Sequence, residues 1–308
     1  MKLLENKVVL VTGAGRGFGK YMCLAYAKEG ATVLAASRTI SELERLKESI
    51  EEKGGKCITL TTDLLNMEDM TGLRDYVVEQ FGRLDTLVNC AADNLWKLFE
   101  ETSIKEWDRS ISINLRAPFI LSKLFLPLLK DQGYGSIINV SSGSATRGFI
   151  AETAYCPSKY GLEGLTQCLA MELYQYNIAV NSVSPSAPHG KILKPSRLKS
   201  TDEEKVPEAL RAKYASDDSI VEAFSKAWSF LALQDARGVT GQRFVTRQLA
   251  DYINSNGWEA TVAYWGKKLT KAVYVPYDIP EKVNYDTMLK DTIGDAGQKT
   301  YYFRVRER

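Results

Sequence analysis

The chain has one histidine, His189, in 308 residues. A single imidazole argues against a histidine-based metal centre and against a Ser-His-Asp triad, so no metal site is expected. Five cysteines, at 23, 57, 90, 156 and 168, form no Cys-x-x-Cys pair, as expected of reduced thiols in a reducing compartment. Neither sign of charge dominates: 40 basic and 38 acidic residues leave a net charge of +2. That balance supports neither a nucleic-acid nor a membrane partner. No apolar run is expected to be long enough to span a bilayer. The start, Met1 to Lys7, carries charge where a secretory leader would be apolar, so the expected location is the cytoplasm. The composition, 44% hydrophobic and 25% charged, is that of a globular chain with room for one large α/β domain or two small ones.

Lys7-Val-Val-Leu-Val11 reads as a strand buried on both faces, and Thr12-Gly-Ala-Gly-Arg-Gly-Phe-Gly19 follows at once. Tyr21 to Glu29 then has helical apolar spacing and ends at Gly30. A strand, a glycine turn and a helix make a phosphate cradle, because glycine admits a close backbone approach and the helix start offers free N–H groups. Gly13, Gly17 and Gly19 do not fit the Gly-x-Gly-x-x-Gly spacing; Phe18 and Lys20 flank the last glycine. The bland alternative is a simple tight turn. The second strand, Ala31 to Ala36, ends in Ser37-Arg38 where an NAD site usually has an acid. A guanidinium without a carboxylate suits a 2′-phosphate, and Arg16 in the glycine turn can reach the same group. Together they favour NADP(H), although each arginine alone could be a solvated surface charge.

Tyr155 and Lys159 are four apart and share a helix face. A phenol ordinarily titrates near pH ~10, and an adjacent ammonium lowers that value, which readies it for acid–base work near neutrality. Ser142 follows the buried run Ile137-Ile-Asn-Val140, where a hydroxyl could hold a carbonyl or alcohol oxygen against the phenol. The bare Tyr–Lys spacing also occurs on ordinary solvated helix faces.

Strand and helix patterns alternate through the chain. Helices are expected over Ile40 to Lys53, Met67 to Phe81, Glu106 to Lys130, Tyr155 to Tyr176 and Ser219 to Leu233. Further strands are expected at Cys57–Thr61, Leu84–Val88, Ser136–Val140, Ile178–Val183 and Gln242–Val245. This is an α/β fold, a Rossmann-like doubly wound parallel sheet, with ligands at the strands' C-terminal ends. Residues 1–249 are expected to form the dinucleotide domain and residues 250–308 a C-terminal extension. That extension holds Trp258, Trp265 and seven tyrosines. Thr261–Trp265, Lys271–Val275 and Thr300–Val305 read as short strands that pack on the core, a partner subunit or the active site.

Thr12-Gly-xxx-Gly-Phe-Gly19, Asn89-Cys-Ala-Ala92, Asn114, Ser142 and Tyr155-xxx-Lys159, in this order, resemble the short-chain dehydrogenase/reductase family. The resemblance runs from about Lys7 to Phe244. It implies that Tyr155 is the acid/base, that Ser142 orients the reacting oxygen, and that Lys159 binds the nicotinamide ribose and lowers the tyrosine pKa. It further implies that Asn114 holds a water in a proton relay, and that Asp63 and Leu64 touch the adenine. Asn89 would support the central strand beside the cofactor. Gly13, Arg16, Gly17, Phe18, Gly19, Ser37, Arg38, Ala91 and Pro185 complete the expected cofactor contacts. The implied substrate is a small carbonyl or alcohol, and the implied assembly a homodimer or homotetramer, since Leu162, Leu165, Leu169 and Leu173 give the Tyr155–Tyr176 helix extra apolar surface.

The chain departs from the family pattern at Cys90, Ala92, Ser186, His189-Gly190 and Thr246-Arg-Gln248. The region Pro185 to Asp218 carries Lys191, Lys194, Arg197 and Lys199, which either attract an anionic substrate or are a solvated charge run. Trp96 either lines the pocket or packs. The competing functions are an NAD-dependent alcohol dehydrogenase and a non-catalytic NADP-binding sensor or scaffold. Intact Ser142, Tyr155 and Lys159 argue against the sensor.

Overall fold

In a computed structural model of the chain, residues 2–194 and 207–266 are described. Val8–Thr12 (β1), Thr32–Ser37 (β2), Lys56–Thr61 (β3), Thr86–Asn89 (β4), Gly135–Val140 (β5), Ile178–Ser184 (β6) and Arg243–Val245 (β7) form one parallel sheet in the order β3-β2-β1-β4-β5-β6-β7. The unbroken apolar strands are explained by their position: β1, β4, β5 and β6 are buried along their whole length. The order reverses between β1 and β4, so the turns that follow these two strands diverge around a crevice.

Each face of the sheet carries its own core. One holds Tyr26 of helix Gly17–Lys28 (α1) with Phe224, Trp228 and Phe230 of a helix late in the chain, Asp217–Ala232. The other holds Met70, Leu73 and Val77 of Met67–Phe81 (α3) with Leu121, Phe125 and Leu129. Helix Ile40–Glu51 (α2) buries Leu43, Leu46 and Ile50, a stripe at helical spacing with charge elsewhere. At the opposite end of the sheet from the crevice, the buried Asp85 carboxylate accepts from Lys7, Arg83, Tyr134 and the Val8 N–H.

The expectations for two segments are corrected here. The single helix expected from Glu106 to Lys130 starts earlier, at Ile104, because Ser103 and Glu106 form a reciprocal capping box. It comprises Ile104–Ile111 (α4), a π turn over Ser112–Arg116 and Ala117–Gln132 (α5). By length and composition this run, Ile104–Gln132, could cross a membrane, contrary to the expectation that none could. Its apolar side is accounted for by the sheet, where Leu121, Phe125 and Leu129 are buried.

The second correction concerns Thr261–Trp265, expected as a strand. It lies within helix Trp258–Trp265, which follows Thr246–Asn256 directly. Trp258 and Trp265 are two turns apart on one face; Trp258 meets Phe230 at 4.8 Å and Trp265 meets Phe244 at 5.3 Å and Tyr252 at 4.5 Å between ring centroids. That packing selects a 3.6-residue period over the alternation that five residues alone suggested. The expected domain limit at 249 falls inside helix Thr246–Asn256. The segments Lys271–Val275 and Thr300–Val305 lie outside the described residues.

Candidate active site

The crevice begins with the hydroxyl of Thr12. It donates to the Val88 carbonyl (3.2 Å) and accepts from the N–H groups of Cys90 (3.1 Å) and Ala91 (3.3 Å), tying the end of β1 to the end of β4. Gly13 has φ +67°, and a Cβ there would lie 2.6 Å from the Ala91 Cα, so a side chain is excluded twice. A Cβ on Gly19 would lie 2.4 Å from the Gly13 carbonyl oxygen. The α1 N-cap, Arg16, makes no capping bond with its side chain, and the first turn holds no acid. The positive helix end and its N–H groups therefore face a cavity of about 600 Å³. Gly13, Gly17, Phe18, Gly19, Ala91 and Pro185 all line it. Phe18 is also edge-on to Trp228, with ring centroids 5.1 Å apart. Bare backbone at a helix start and an elongated cavity across the switch point fit a dinucleotide's pyrophosphate.

Arg16, Ser37, Arg38, Asp63 and Leu64 line the far end. Asp63 accepts the Leu65 N–H (3.0 Å), which holds the turn after β3 at this end of the cavity. Glu42 is a feature of this end that inspection of the second strand missed. It comes from the first turn of α2 and places a carboxylate oxygen 3.7 Å from the Arg16 guanidinium. The strand end itself has no acid, but the helix after it supplies one.

At the other end stand Tyr155 and Lys159, in the first turns of Tyr155–Leu173 (α6); Ser142, in the segment that follows β5, is not among the residues that line the cavity, although its neighbour Ser141 is. The Lys159 side chain is buried, 2% exposed, and its ammonium donates to the Val140 carbonyl at 2.8 Å. Burial lowers its pKa to about 8, offset in part by Cys90 and Glu163. The ammonium lies 5.6 Å from the Tyr155 ring centroid. The Ser142 side chain lies near the phenol and acts to lower its pKa. The expectation that Lys159 draws the phenol pKa down is not met in the protein alone. Burial raises it, outweighing the influence of Ser142, because phenolate would be desolvated.

Asn114 and Asn89 do not line the cavity. Asn114 lies in the π turn, where its Oδ1 accepts the Asp93 N–H (2.7 Å) and its Nδ2 donates to the Asp93 carbonyl and to Ser158 Oγ (both 3.0 Å). Its side chain thus fixes the β4 turn against α6. Asn89 donates to Asn139 Oδ1 (2.9 Å), joining two central strands under the crevice. Cys90 lines the cavity where the family pattern has asparagine, and burial keeps it a neutral thiol by pushing its pKa up to about 12.

A polar network behind Ser142 was also missed. Glu163, one turn beyond Lys159, accepts from Ser141 Oγ, Ser182 Oγ (2.7 Å) and Arg243 Nε (3.2 Å). Arg243 on β7 donates onward to the Ser142 carbonyl and Ser184 Oγ, both at 3.0 Å. The sequence signal available was polar side chains on or just after three adjacent strands. Thr246, one of the departures from the family pattern, donates to the Ser184 carbonyl at 2.8 Å. In the expected substrate loop, His189 pairs with Asp251 at 3.0 Å and Lys191 donates to the Ala212 carbonyl. Arg197 and Lys199 lie outside the described residues.

Residues 7–200 match the short chain dehydrogenase family. A 3-oxoacyl-acyl-carrier-protein reductase of Thermotoga maritima is 34% identical over 244 residues, covering 78% of this chain and 95% of the relative. A trans-4-hydroxycyclohexanecarboxylate dehydrogenase of Sinomonas cyclohexanicum is 38% identical over 190 residues, 60% of this chain and 73% of the relative. Among solved structures, a metagenomic short-chain oxidoreductase in complex with NADP superposes with a TM-score of 0.65 at 27% identity, covering 79% of this chain and 97% of that one. With a seven-stranded parallel sheet, a glycine turn at its switch point and a family match over most of the described residues, the chain belongs to the short-chain dehydrogenase/reductase family of oxidoreductases.

Proposed function

We propose that the protein is an NADP(H)-dependent oxidoreductase that interconverts a carbonyl and an alcohol, with Tyr155 as its acid–base. The observation that carries this reading is that Tyr155 and Lys159 line the inner end of a cavity whose other end holds Arg16 and Arg38, with Ser142 near the phenol in the turn after β5. The bound nicotinamide supplies or accepts the hydride. The glycine turn and the α1 N-terminus hold the pyrophosphate, and Arg16 and Arg38 receive the 2′-phosphate. Ser142 holds the substrate oxygen against the phenol, and Tyr155 gives that oxygen a proton in reduction or removes it in oxidation. Lys159, kept in place by the Val140 carbonyl, binds the nicotinamide ribose and supplies positive charge beside the phenol. Solved relatives carrying NADP support the cofactor choice. Homo-oligomerisation is part of this reading; Phe119, Met171 and Tyr174 on the long helices flanking the site are exposed apolar groups.

Glu42 favours a second reading, use of NAD(H), because a carboxylate in this subsite can accept from ribose hydroxyls. Titration with both cofactors separates the two. The catalytic assignment is tested with a panel of ketones and alcohols, following absorbance of the reduced cofactor. Tyr155→Phe is expected to bind NADPH as the wild type does and to lose about a hundredfold or more in turnover. Turnover within a few-fold of wild type would place the acid–base elsewhere.

A further inference from the structure

Behind the reactive end of the cavity lies an ion pair to which the proposed reaction gives no role. Glu163 of α6 and Arg243 of β7 meet at 3.2 Å, and both side chains are mostly buried. Desolvating two charges offsets much of their attraction, so such a pair is a poor device for stability alone. What it adds is direction. A guanidinium donates along a fixed planar fork, and a carboxylate accepts on two oxygens. Here both groups are turned toward the segments that form the cavity wall.

The inner wall is built from Val140, Ser141, Tyr155, Lys159 and Pro185. The Val140 carbonyl accepts the Lys159 ammonium at 2.8 Å. Ser141, the next residue, donates its hydroxyl to Glu163 Oε1. Arg243 Nη2 donates to the carbonyl of the residue after that, Ser142, at 3.0 Å. The same nitrogen donates to Ser184 Oγ at 3.0 Å, and Ser184 ends β6 directly before Pro185. Glu163 Oε2 accepts from Ser182 Oγ at 2.7 Å, two residues earlier on the same strand face. Glu163 and Lys159 are four apart on α6, so they share a face of that helix. Val140, Ser141, Lys159 and Pro185 are thus each within one residue or one helical turn of a bond to this pair.

Arg243 is itself seated from the other side of the sheet. β7 is a three-residue strand at the sheet edge. Phe244, next in sequence, points to the opposite face and packs on Trp265 at 5.3 Å between ring centroids. Thr246, just beyond the strand, donates to the Ser184 carbonyl at 2.8 Å. We infer that the Glu163–Arg243 pair is a positioning device that fixes the turns after β5 and β6 relative to each other, and so shapes the half of the cavity that takes the nicotinamide. The inference rests on the reading that places the nicotinamide beside Tyr155 and Lys159. Neither Glu163 nor Arg243 lines the cavity, so both act through Ser141, Ser142 and Ser184.

The test compares two ligands by calorimetric titration and needs no substrate. NADPH fills both halves of the cavity, whereas adenosine 2′,5′-bisphosphate carries the adenine and the 2′-phosphate but no nicotinamide. Arg243→Ala is expected to weaken NADPH about fivefold, the worth of one net hydrogen bond, and to leave the bisphosphate within about twofold. Arg243→Lys, which keeps the charge, should recover part of the lost NADPH affinity. Equal losses for the two ligands in Arg243→Ala would be a general loosening of the fold and overturn the inference, as would an unchanged NADPH affinity. If Arg243→Ala does not fold, Glu163→Gln, which keeps the volume and removes the charge, is read in the same way. Lys159→Met separates the inference from the reading beneath it, since it should also weaken NADPH and spare the bisphosphate. Unmoved NADPH affinity in Lys159→Met refutes the placement of the nicotinamide and the inference with it; a loss there with none in Arg243→Ala overturns the inference alone. A protein that shows the expected split but reduces no carbonyl would refute the proposed activity and leave the positioning role established.

Discussion

Lys159 is expected to cost the fold stability. Its pKa falls from 10.5 to about 8 because the ammonium is buried. A gap of about 2.5 pH units, at ~1.4 kcal/mol each, amounts to roughly 3 kcal/mol charged against the folded state at pH 7. The sign follows from proton counts. Between pH 8 and 10.5 the unfolded chain holds a proton that the folded chain has released, so stability rises with pH through that window. Below pH 8 both states hold it and the full penalty stands. Lys159→Met removes the charge and keeps much of the volume, but loses the bond to the Val140 carbonyl, worth about 1 kcal/mol. The net expectation at pH 7 is a gain of about 2 kcal/mol, or roughly 4 °C in Tm for a chain of this size. Differential scanning calorimetry of the cofactor-free protein at several pH values measures both quantities. The variant should melt higher at pH 7, and its advantage should shrink toward pH 10. A variant that melts at or below wild type at pH 7, with the same pH slope, would refute the reasoning. The same substitution should abolish most turnover, so the site would gain stability as it loses its chemistry.

At the far end of the cavity, Arg38→Ala is expected to erase most of a tenfold or greater preference for NADPH over NADH, about 1.4 kcal/mol, in fluorescence titrations. Glu42→Gln is expected to free Arg16 and tighten NADPH several-fold; weaker NADPH binding would show that Glu42 helps to hold the cofactor. Arg243→Ala leaves Glu163 with only Ser141 and Ser182 as donors and releases the Ser142 carbonyl. Since this pair is only 20% and 14% exposed, urea unfolding should show a loss of about 2–4 kcal/mol, and Arg243→Lys should restore part of it; an unchanged midpoint would show that the network carries no stability.

The fold was legible because its signals are local. Val8-Val-Leu-Val11 and Ile137-Ile-Asn-Val140 are short apolar runs next to turn residues, and such runs occur where a strand is covered on both faces. The tail was less legible for the same reason. Thr261-Val-Ala-Tyr-Trp265 alternates well enough over five residues to pass for a strand. Its helical period appears only when Trp258 is counted with it, and its preference is decided by Phe230, Phe244 and Tyr252, which are distant or separate in sequence. The division of the long helix at Ser112–Arg116 had no local signal either. There the extra residue of the π turn coincides with Asn114, which bonds across to Asp93 and Ser158.

The site divides along the same line. The placement of Gly13, Tyr155 and Lys159 along the cavity was readable because each lies within a turn or two of its neighbours, so spacing alone sets it. What spacing could not show is the company they keep. Glu42 reaches Arg16 from the first turn of a different helix, and Arg243 reaches Ser142 from 101 residues away. Both contacts bring a charge to a group whose charge or orientation matters to the proposed reaction. They arise because the parallel sheet delivers the carboxyl ends of its strands to one edge, whatever their distance along the chain. A charged residue at that edge is therefore poised to act on the site even where its own neighbours in sequence look like ordinary surface. Glu42 shows the consequence: read with α2 it is one more polar position on an amphipathic helix, and read with the glycine turn it pairs with Arg16, the group that the proposed reading gives to a phosphate.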